Sequence, residues 1–247
     1  MPEISIESCP LAQRGCTFDQ RGHGKLRSRG EFLMEKNRHD SHRHGGHYPG
    51  AHGDDDRHGA RQPERFDPAR AALLDDRSRF EYLPPDEIFN MLAAPAGGRV
   101  VDFGAGTGTY AVQLARSRPD LEVIALDEQQ EILDLLGAKP AAQRLSNLCA
   151  VHTDEITKLN GTADRVLALD VLHEVGDEAL RALAALLKPT GTVLVVDWNA
   201  GVERPVEPPR DYVYTAAEAR ERMERMGLRI EGERMFKYHY SLAARSA

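Results

Sequence analysis

Apolar residues follow two alternating rhythms from Pro84 to the end of the chain. Pro84-Pro85-Asp86 opens a helix whose Ile88, Met91 and Leu92 keep i, i+3, i+4 spacing. Gly97-Gly98 breaks it, and Arg99-Val100-Val101-Asp102-Phe103 reads as a short buried strand. A glycine turn, Gly104-Ala105-Gly106-Thr107-Gly108, leads into a helix carrying Tyr110, Val112, Leu114 and Ala115, which stops before Pro119. Leu121 to Leu126 is a second strand ending at Asp127, and Gln129 to Leu136 a helix closed by Gly137. Leu148 to His152 and Arg165 to Leu169 are the third and fourth strands, the fourth ending at Asp170. Asp177 is expected to cap a helix with Leu180, Leu183, Ala184 and Leu187 on one face. Pro189-Thr190-Gly191 then turns the chain into a fifth strand, Thr192 to Val196. Thr215-Ala216-Ala217-Glu218 has the form of a capping box, opening a helix that reaches Met226-Gly227. Leu228 to Met235 and Tyr238 to Ala243 complete the pattern as a hairpin.

Strands alternating with helices predict an α/β fold. Its sheet is doubly wound, seven-stranded and mostly parallel, with an antiparallel C-terminal hairpin. Ligands of such sheets bind beyond the carboxyl ends of the strands, where the topology switches. Asp102, Asp127, Asp154 and Asp170 all lie at or just beyond predicted strand ends.

Composition changes this picture at the N-terminus. The chain has 247 residues, 41% hydrophobic and 29% charged, with a net charge of -7. That is ample for one sizeable α/β domain. Residues 1–65, however, hold 7 of the 10 histidines and 9 of the 21 glycines, and their only clustered large apolar residues past Cys16 are Phe32-Leu33-Met34. Such a stretch buries too little to offset its chain entropy. The expected organisation is a disordered His/Gly-rich extension over 1–65, a helical segment over 66–98 and a core over 99–247. His39, His42, His44, His47, His52 and His58 lie near Asp54-Asp55-Asp56 and could sequester soft divalent ions loosely, although their spacing matches no closed structural site. A solvated extension with no metal role is the simpler reading.

Other classes are argued against. No run of about 18 apolar residues occurs, so no membrane span is expected. The opening Met1–Glu7 is acidic and lacks a continuous apolar stretch, so no secretory leader is expected. Three cysteines are too few for a disulfide scaffold, which makes a cytoplasmic location the default. An isoelectric point near 5.8 disfavours nucleic acid held by bulk charge.

The glycine turn is the first chemical signal. Glycines at alternate positions let the backbone approach a ligand closely. The dinucleotide fingerprint would need a third glycine where Thr109 stands, and no lysine of a phosphate-binding loop follows. A tight strand–helix turn with no ligand remains the alternative. Asp127, about 20 residues further on, suits the two hydroxyls of a ribose. His173, with Glu174 beside it, is a candidate general base, or equally a histidine capping the loop before Asp177. Trp198, Tyr212, Tyr214 and the Tyr238-His239-Tyr240 triplet could line an acceptor pocket or simply pack the sheet.

At these positions the sequence resembles the class I S-adenosylmethionine-dependent methyltransferases. The matching segments are VVDFGAGTG at Val100–Gly108, IALD at Ile124–Asp127, ALDVLHEV at Ala168–Val175 and LLKPTGTVLVVDW at Leu186–Trp198. The stretch RFDPARAALLDDRSRFEYLPPDEIFNML at Arg65–Leu92 is similar to the opening of a small bacterial branch related to the ubiquinone/menaquinone-biosynthesis methyltransferases. The resemblance implies a Rossmann-like methyltransferase fold, S-adenosyl-L-methionine as cofactor and a small-molecule methyl acceptor. It also implies site residues. Asp102 and the backbone of Gly104, Ala105 and Gly106 would hold the methionine part, and Asp127 and Glu128 the ribose. Asp154 would face the adenine amine, although Thr153 replaces the usual glycine before it. Asp170 and Val171 would stand where cofactor and acceptor meet, with Asp170 and His173 nearest the chemistry. Two alternatives stay open: a metalloid methyltransferase using Cys9, Cys16 and Cys149 as thiolates, and a non-catalytic metal-buffering protein with a relic cofactor domain.

Overall fold

Runs of β-branched and aliphatic residues, buried on both faces, build the centre of the sheet. In the computed structural model, which describes residues 68–204 and 208–247, these runs are β1 (Arg99–Phe103), β2 (Glu122–Asp127), β3 (Leu148–His152), β4 (Ala163–Leu169) and β5 (Leu187–Trp198). β6 (Leu228–Met235) and β7 (His239–Ser246) form the terminal hairpin. The order across the sheet is β3-β2-β1-β4-β5-β7-β6. The first five strands are parallel, while β7 runs antiparallel to both β5 and β6. The fold class is as expected from the pattern.

Side-chain alternation splits the core into two layers. Val101, Ile124, Val166 and Val195 face α6 (Asp177–Ala185) and α7 (Ala216–Arg225), packing with Leu180, Leu183, Ala219 and Met223. Val100, Val123, Leu167 and Leu194 face α2 (Pro85–Leu92) and α3 (Thr109–Ser117), packing with Ile88, Leu92, Tyr110 and Leu114. Each such aliphatic side chain stabilises the fold by about 1.5–3 kcal/mol when fully buried. The Thr215 capping box forms as expected, with both of its reciprocal bonds present. The edge strand β6 is exposed and charged along most of its length, which discourages pairing with other chains.

Three local expectations are corrected. Gly137 does not close its helix: α4 (Gln130–Ala138) continues through it, and Gly137 is not among the positive-φ glycines. The stop comes instead from Pro140, the first residue of α5 (Pro140–Gln143), which forces Lys139 to an extended φ −67, ψ 125. Asp177 makes no side-chain cap; it is the first residue of α6, and Gly176 is the capping position. Leu187 belongs to β5, not to the helix face, and Pro189-Thr190-Gly191 lies in a bulge where Ala163 pairs Leu187 and Arg165 pairs Thr192.

β1 lies between β2 and β4, so the chain steps outward to β3 and then returns across β1 to build the other half. The crevice beyond the carboxyl ends of β1 and β4 is therefore the topological switch point. A short helical segment, α1 (Ala71–Leu74) with the turns up to Leu83, precedes α2. The expected extension over 1–65, with its histidines, Cys9 and Cys16, lies outside the described residues, as does the boundary at Phe66. No helix among the described residues is long and apolar enough to cross a membrane.

Candidate functional site

The turn between β1 and α3 can be built only by glycine. Gly104, Gly106 and Gly108 adopt φ of 70°, 55° and 75°, a region that costs other L-residues about 1–2 kcal/mol. Space is short as well. A Cβ on Gly104 would stand 2.5 Å from Val171 Cγ2, one on Gly106 3.0 Å from Leu74 Cδ1, and one on Gly108 2.4 Å from Leu136 Cδ1. The turn is pinned to β2, since Gly104 N and Ala105 N both donate to Leu126 O, at 2.8 and 3.0 Å. Gly106 N donates to Asp127 Oδ2 at 2.8 Å.

Three of the four strand-end aspartates converge on this turn. Asp102 is 4% exposed, and its carboxyl rises from the ordinary 3.8 to about 7 because burial and then the neighbouring Asp127 disfavour its charge. Burial also raises Asp127, against the opposing bonds from Gln129 N and Gly106 N. Asp170 sits across the switch point with a left-handed φ of 55°, unusual for a non-glycine residue. Burial alone would raise its carboxyl, but His239 and Arg79 outweigh that and hold it at about 2. Val171, beside it, packs over Gly104. Asp154, the fourth, is separate: its side chain is 88% exposed, in the 3₁₀ segment Thr153–Leu159. His152 links that edge to Glu128, whose carbonyl lies 2.9 Å from His152 Nε2.

Two elements far apart in the chain close over Asp170. Arg79, from the segment before α2, donates to Asp170 Oδ2 at 2.6 Å. His239, the first residue of β7, places Nε2 2.9 Å from Asp170 Oδ1. The same N-terminal segment is tied to the glycine turn through Asp75 Oδ1, which accepts from Thr107 Oγ1 at 2.7 Å, Thr109 Oγ1 at 2.8 Å and Lys139 Nζ at 2.5 Å. An open cleft of about 360 Å³ flanks this junction, lined by Asp75, Phe80, Thr109, Arg116 and Lys139 among others. None of Asp102, Asp127 and Asp170 lines it. Arg79, Asp75 and Lys139 escaped the sequence reading because they carry no periodicity and no motif spacing; they matter only by where the chain returns.

The loop after β4 is held from both sides. His173 Nδ1 lies 2.7 Å from Asp197 Oδ1, and His173 N donates to Asp197 Oδ2 at 2.9 Å. Burial opposes its charge, but Asp197 overrides this and pushes His173 up to about 9. Glu174, at 3.7 Å from His173 Nε2, is raised to about 7, chiefly by burial. Arg222 of α7 donates to Leu172 O at 2.9 Å and to Val175 O at 2.5 Å, clamping the loop. Among the aromatic candidates, Tyr82, Trp198, Tyr238 and His239 gather beside Asp170, whereas Tyr214 meets Arg222 and Tyr212 is exposed. Cys149 is 4% exposed within the core of β3 and away from the rim of the site. Among the described residues no group of three or more His, Cys, Asp or Glu is placed to hold a metal ion.

This fold and this arrangement of acids about a glycine turn are those of a nucleoside-binding transferase. Residues 76–243 match the family model described as a methyltransferase domain. The chain therefore belongs to that family, whose cofactor is S-adenosylmethionine. Its sequence is 34% identical over 131 residues to an uncharacterized methyltransferase of Mycobacterium tuberculosis, covering 52% of this chain and 50% of that one. It is 29% identical over 139 residues to an O-methyltransferase of Streptomyces lavendulae, covering 54% and 41%. The chain thus spans about half the length of the curated relatives it matches. The crystal structure of a SAM-dependent methyltransferase from Aquifex aeolicus superposes with a TM-score of 0.68 at 27% identity, over 73% of this chain and 98% of that one.

Two expected outcomes follow from the turn and its acids. Gly104→Ala should lower folding stability by about 2–4 kcal/mol, combining a left-handed φ with a clash against Val171. Gly97→Ala, with φ also at 70° but nothing within 4 Å, should cost only about 1–2 kcal/mol. Equal losses in urea melts would mean that the Val171 contact is not tight. The second concerns pH. Between the ordinary 3.8 and about 7 the folded chain keeps a proton on Asp102 that the unfolded chain has released, so stability falls as pH rises through that window. Asp170 acts oppositely, its contribution being present above the ordinary carboxylate value and lost as pH falls toward about 2. Asp102→Asn should flatten the decline through the upper window when denaturation midpoints are measured against pH; an unaltered slope would rule Asp102 out as its source.

Proposed function

We propose that this chain moves a methyl group from S-adenosylmethionine to a small-molecule acceptor, by in-line displacement at the methyl carbon. The observation that carries the reading is the convergence of Asp102, Asp127 and Asp170 on a turn whose three glycines all have positive φ. These residues fit the cofactor. A ligand with a cationic sulfur and a cationic amine suits a rim of carboxylates, and its ribose needs acceptors such as Asp127. When bound, the cofactor supplies a methyl group already activated by the sulfonium charge.

The protein's own contribution is binding, alignment and exclusion of water. Asp127 spends one lone pair on each of Gly106 N and Gln129 N, which leaves acceptor capacity on both oxygens for ribose hydroxyls. Glu128 extends the same strand end. Asp102 and the backbone at Gly104, Ala105 and Gly106 hold the amino-acid end, and the exposed Asp154 supplies an acceptor for the adenine amine. Asp170 and Val171 mark the junction with the acceptor. Trp198, Tyr82 and Tyr238 wall that side with ring faces, a surface suited to a compact, partly apolar acceptor. The similarity to the Streptomyces O-methyltransferase favours an oxygen acceptor. His173 serves as general base where the acceptor must lose a proton, oriented by Asp197 as a carboxylate orients a catalytic imidazole.

Calorimetry tests the cofactor reading directly. The chain should bind adenosylhomocysteine and bind NAD poorly, and Asp127→Ala should weaken binding by about 1–3 kcal/mol. Tight NAD binding without adenosylhomocysteine binding would sink the reading, and an unaffected Asp127→Ala variant would remove Asp127 from the site. The role of His173 has its own signature. With its pKa pushed up to about 9, turnover of a hydroxyl acceptor should climb with pH toward that value, and His173→Gln should abolish the climb. A His173→Gln enzyme with the parent profile would leave His173 as a loop-holding residue only.

A further inference from the structure

Position 239 is an unexpected place for a polar ring. His239 begins β7 opposite Trp198, the last residue of β5, and is 0% exposed. Its ring lies between Tyr82, stacked at 5.7 Å and 12°, and Trp198, at 3.9 Å between centroids. A phenylalanine would fill that slot without burying two ring nitrogens. Nδ1 has no hydrogen-bond partner, and Nε2 meets one group only, Asp170 Oδ1, at 2.9 Å and out of line for a full hydrogen bond. Buried polar groups are ordinarily satisfied, so a ring left this short of partners is there for the neighbour it touches.

That neighbour is itself held unusually. Asp170 takes a left-handed φ of 55°, its N–H extends the ladder to Val196 O at 2.8 Å, and its two oxygens are divided between two elements. Oδ2 belongs to Arg79 and Oδ1 to His239. The Arg79 segment also reaches the glycine turn through Leu74 and Asp75, so a ligand entering between the turn and Asp170 must disturb it. His239 is anchored in the sheet and stays. We propose that His239 is a positioning residue for the cofactor site: its imidazole holds the Asp170 carboxylate at the β1–β4 junction when the Arg79 segment yields to a ligand. The proposal rests on the methyltransferase reading above.

The test uses the full chain and two probes, adenosylmethionine and adenosylhomocysteine, titrated calorimetrically. His239→Phe keeps the stack and removes the nitrogens; it should weaken adenosylmethionine binding about two- to tenfold, the loss for a contact of ordinary hydrogen-bond strength. The neutral thioether of adenosylhomocysteine should lose less, so the ratio of the two affinities shifts. His239→Gln, whose amide nitrogen can reach the Nε2 position, should recover most of the loss, and His239→Asn, which stops short, should not. That ordering remains readable if the Phe variant fails to fold. In an Asp170→Asn background, His239→Phe should add little. A Phe variant with parental affinities, a Gln variant no better than Asn, or losses that simply multiply with Asp170→Asn would each overturn the assignment. A parent chain that binds neither probe overturns the methyltransferase reading instead, and this proposal with it.

Discussion

The turn after β1 needs three left-handed backbone positions and leaves little room beside them, and the rest of the site depends on that constraint. Three glycines are needed for three separate reasons: Val171 from the loop after β4 closes on Gly104, Leu74 from the N-terminal segment on Gly106, and Leu136 from α4 on Gly108. Elements that lie 28 or more positions from it in sequence therefore meet at one turn. Their approach is what brings Asp102, Asp127 and Asp170 to a common crevice. A side chain at Gly104 would press on the stiff, β-branched Val171, and with it on one wall of the site.

Charge balance is the second constraint. Burying Asp102 beside Asp127 is unfavourable, and the fold tolerates it by letting Asp102 hold a proton near neutrality. Asp170, less deeply buried, meets the opposite treatment and is kept ionised by Arg79 and His239. Two acids thus differ in protonation because burial and Asp127 dominate at Asp102, whereas Asp170 is bonded directly to Arg79 and faces His239. On the proposed function, that asymmetry would give a cationic ligand two different partners. The His173–Asp197 pair repeats the logic on the far side of the loop, with the sign reversed on the imidazole.

The sheet was readable because burial on both faces leaves a signature in adjacent residues. Runs such as Val100-Val101 and Val193-Leu194-Val195-Val196 have few other uses, and the strand order follows once the connections are helical. The glycine turn and the strand-end aspartates were readable for the same local reason. Helix ends were less so: Gly137 looked like a stop, but no neighbour required a positive φ there, and Pro140 three residues on decided the matter through Lys139. Asp154 was rightly placed at a strand end, yet the sequence could not show how exposed it would be. Arg79, Asp75, Asp197 and Arg222 were invisible because each acts across 24 or more residues. Nothing local distinguishes an arginine that reaches a buried carboxylate from one that reaches water.

That invisibility has a pattern. Two of the missed residues, Asp75 and Arg79, come from one flank of the core, the segment before α2, and the other flank, the hairpin after α7, whose aromatic triplet was seen but not placed, meets that segment. Both flanks converge on Asp170, one on each oxygen, and both contribute rings to the same cluster, Tyr82 from the first and Tyr238 and His239 from the second. On the proposed function, the parallel half of the sheet would supply the groups for the cofactor. The flanks would then supply the wall on the acceptor side, where specificity must be written if one scaffold is to serve many acceptors. A single carboxylate at the switch point joins these two halves. Any acceptor that orders the N-terminal segment must therefore act on Asp170 as well, so acceptor binding and cofactor binding should be energetically linked through that one residue.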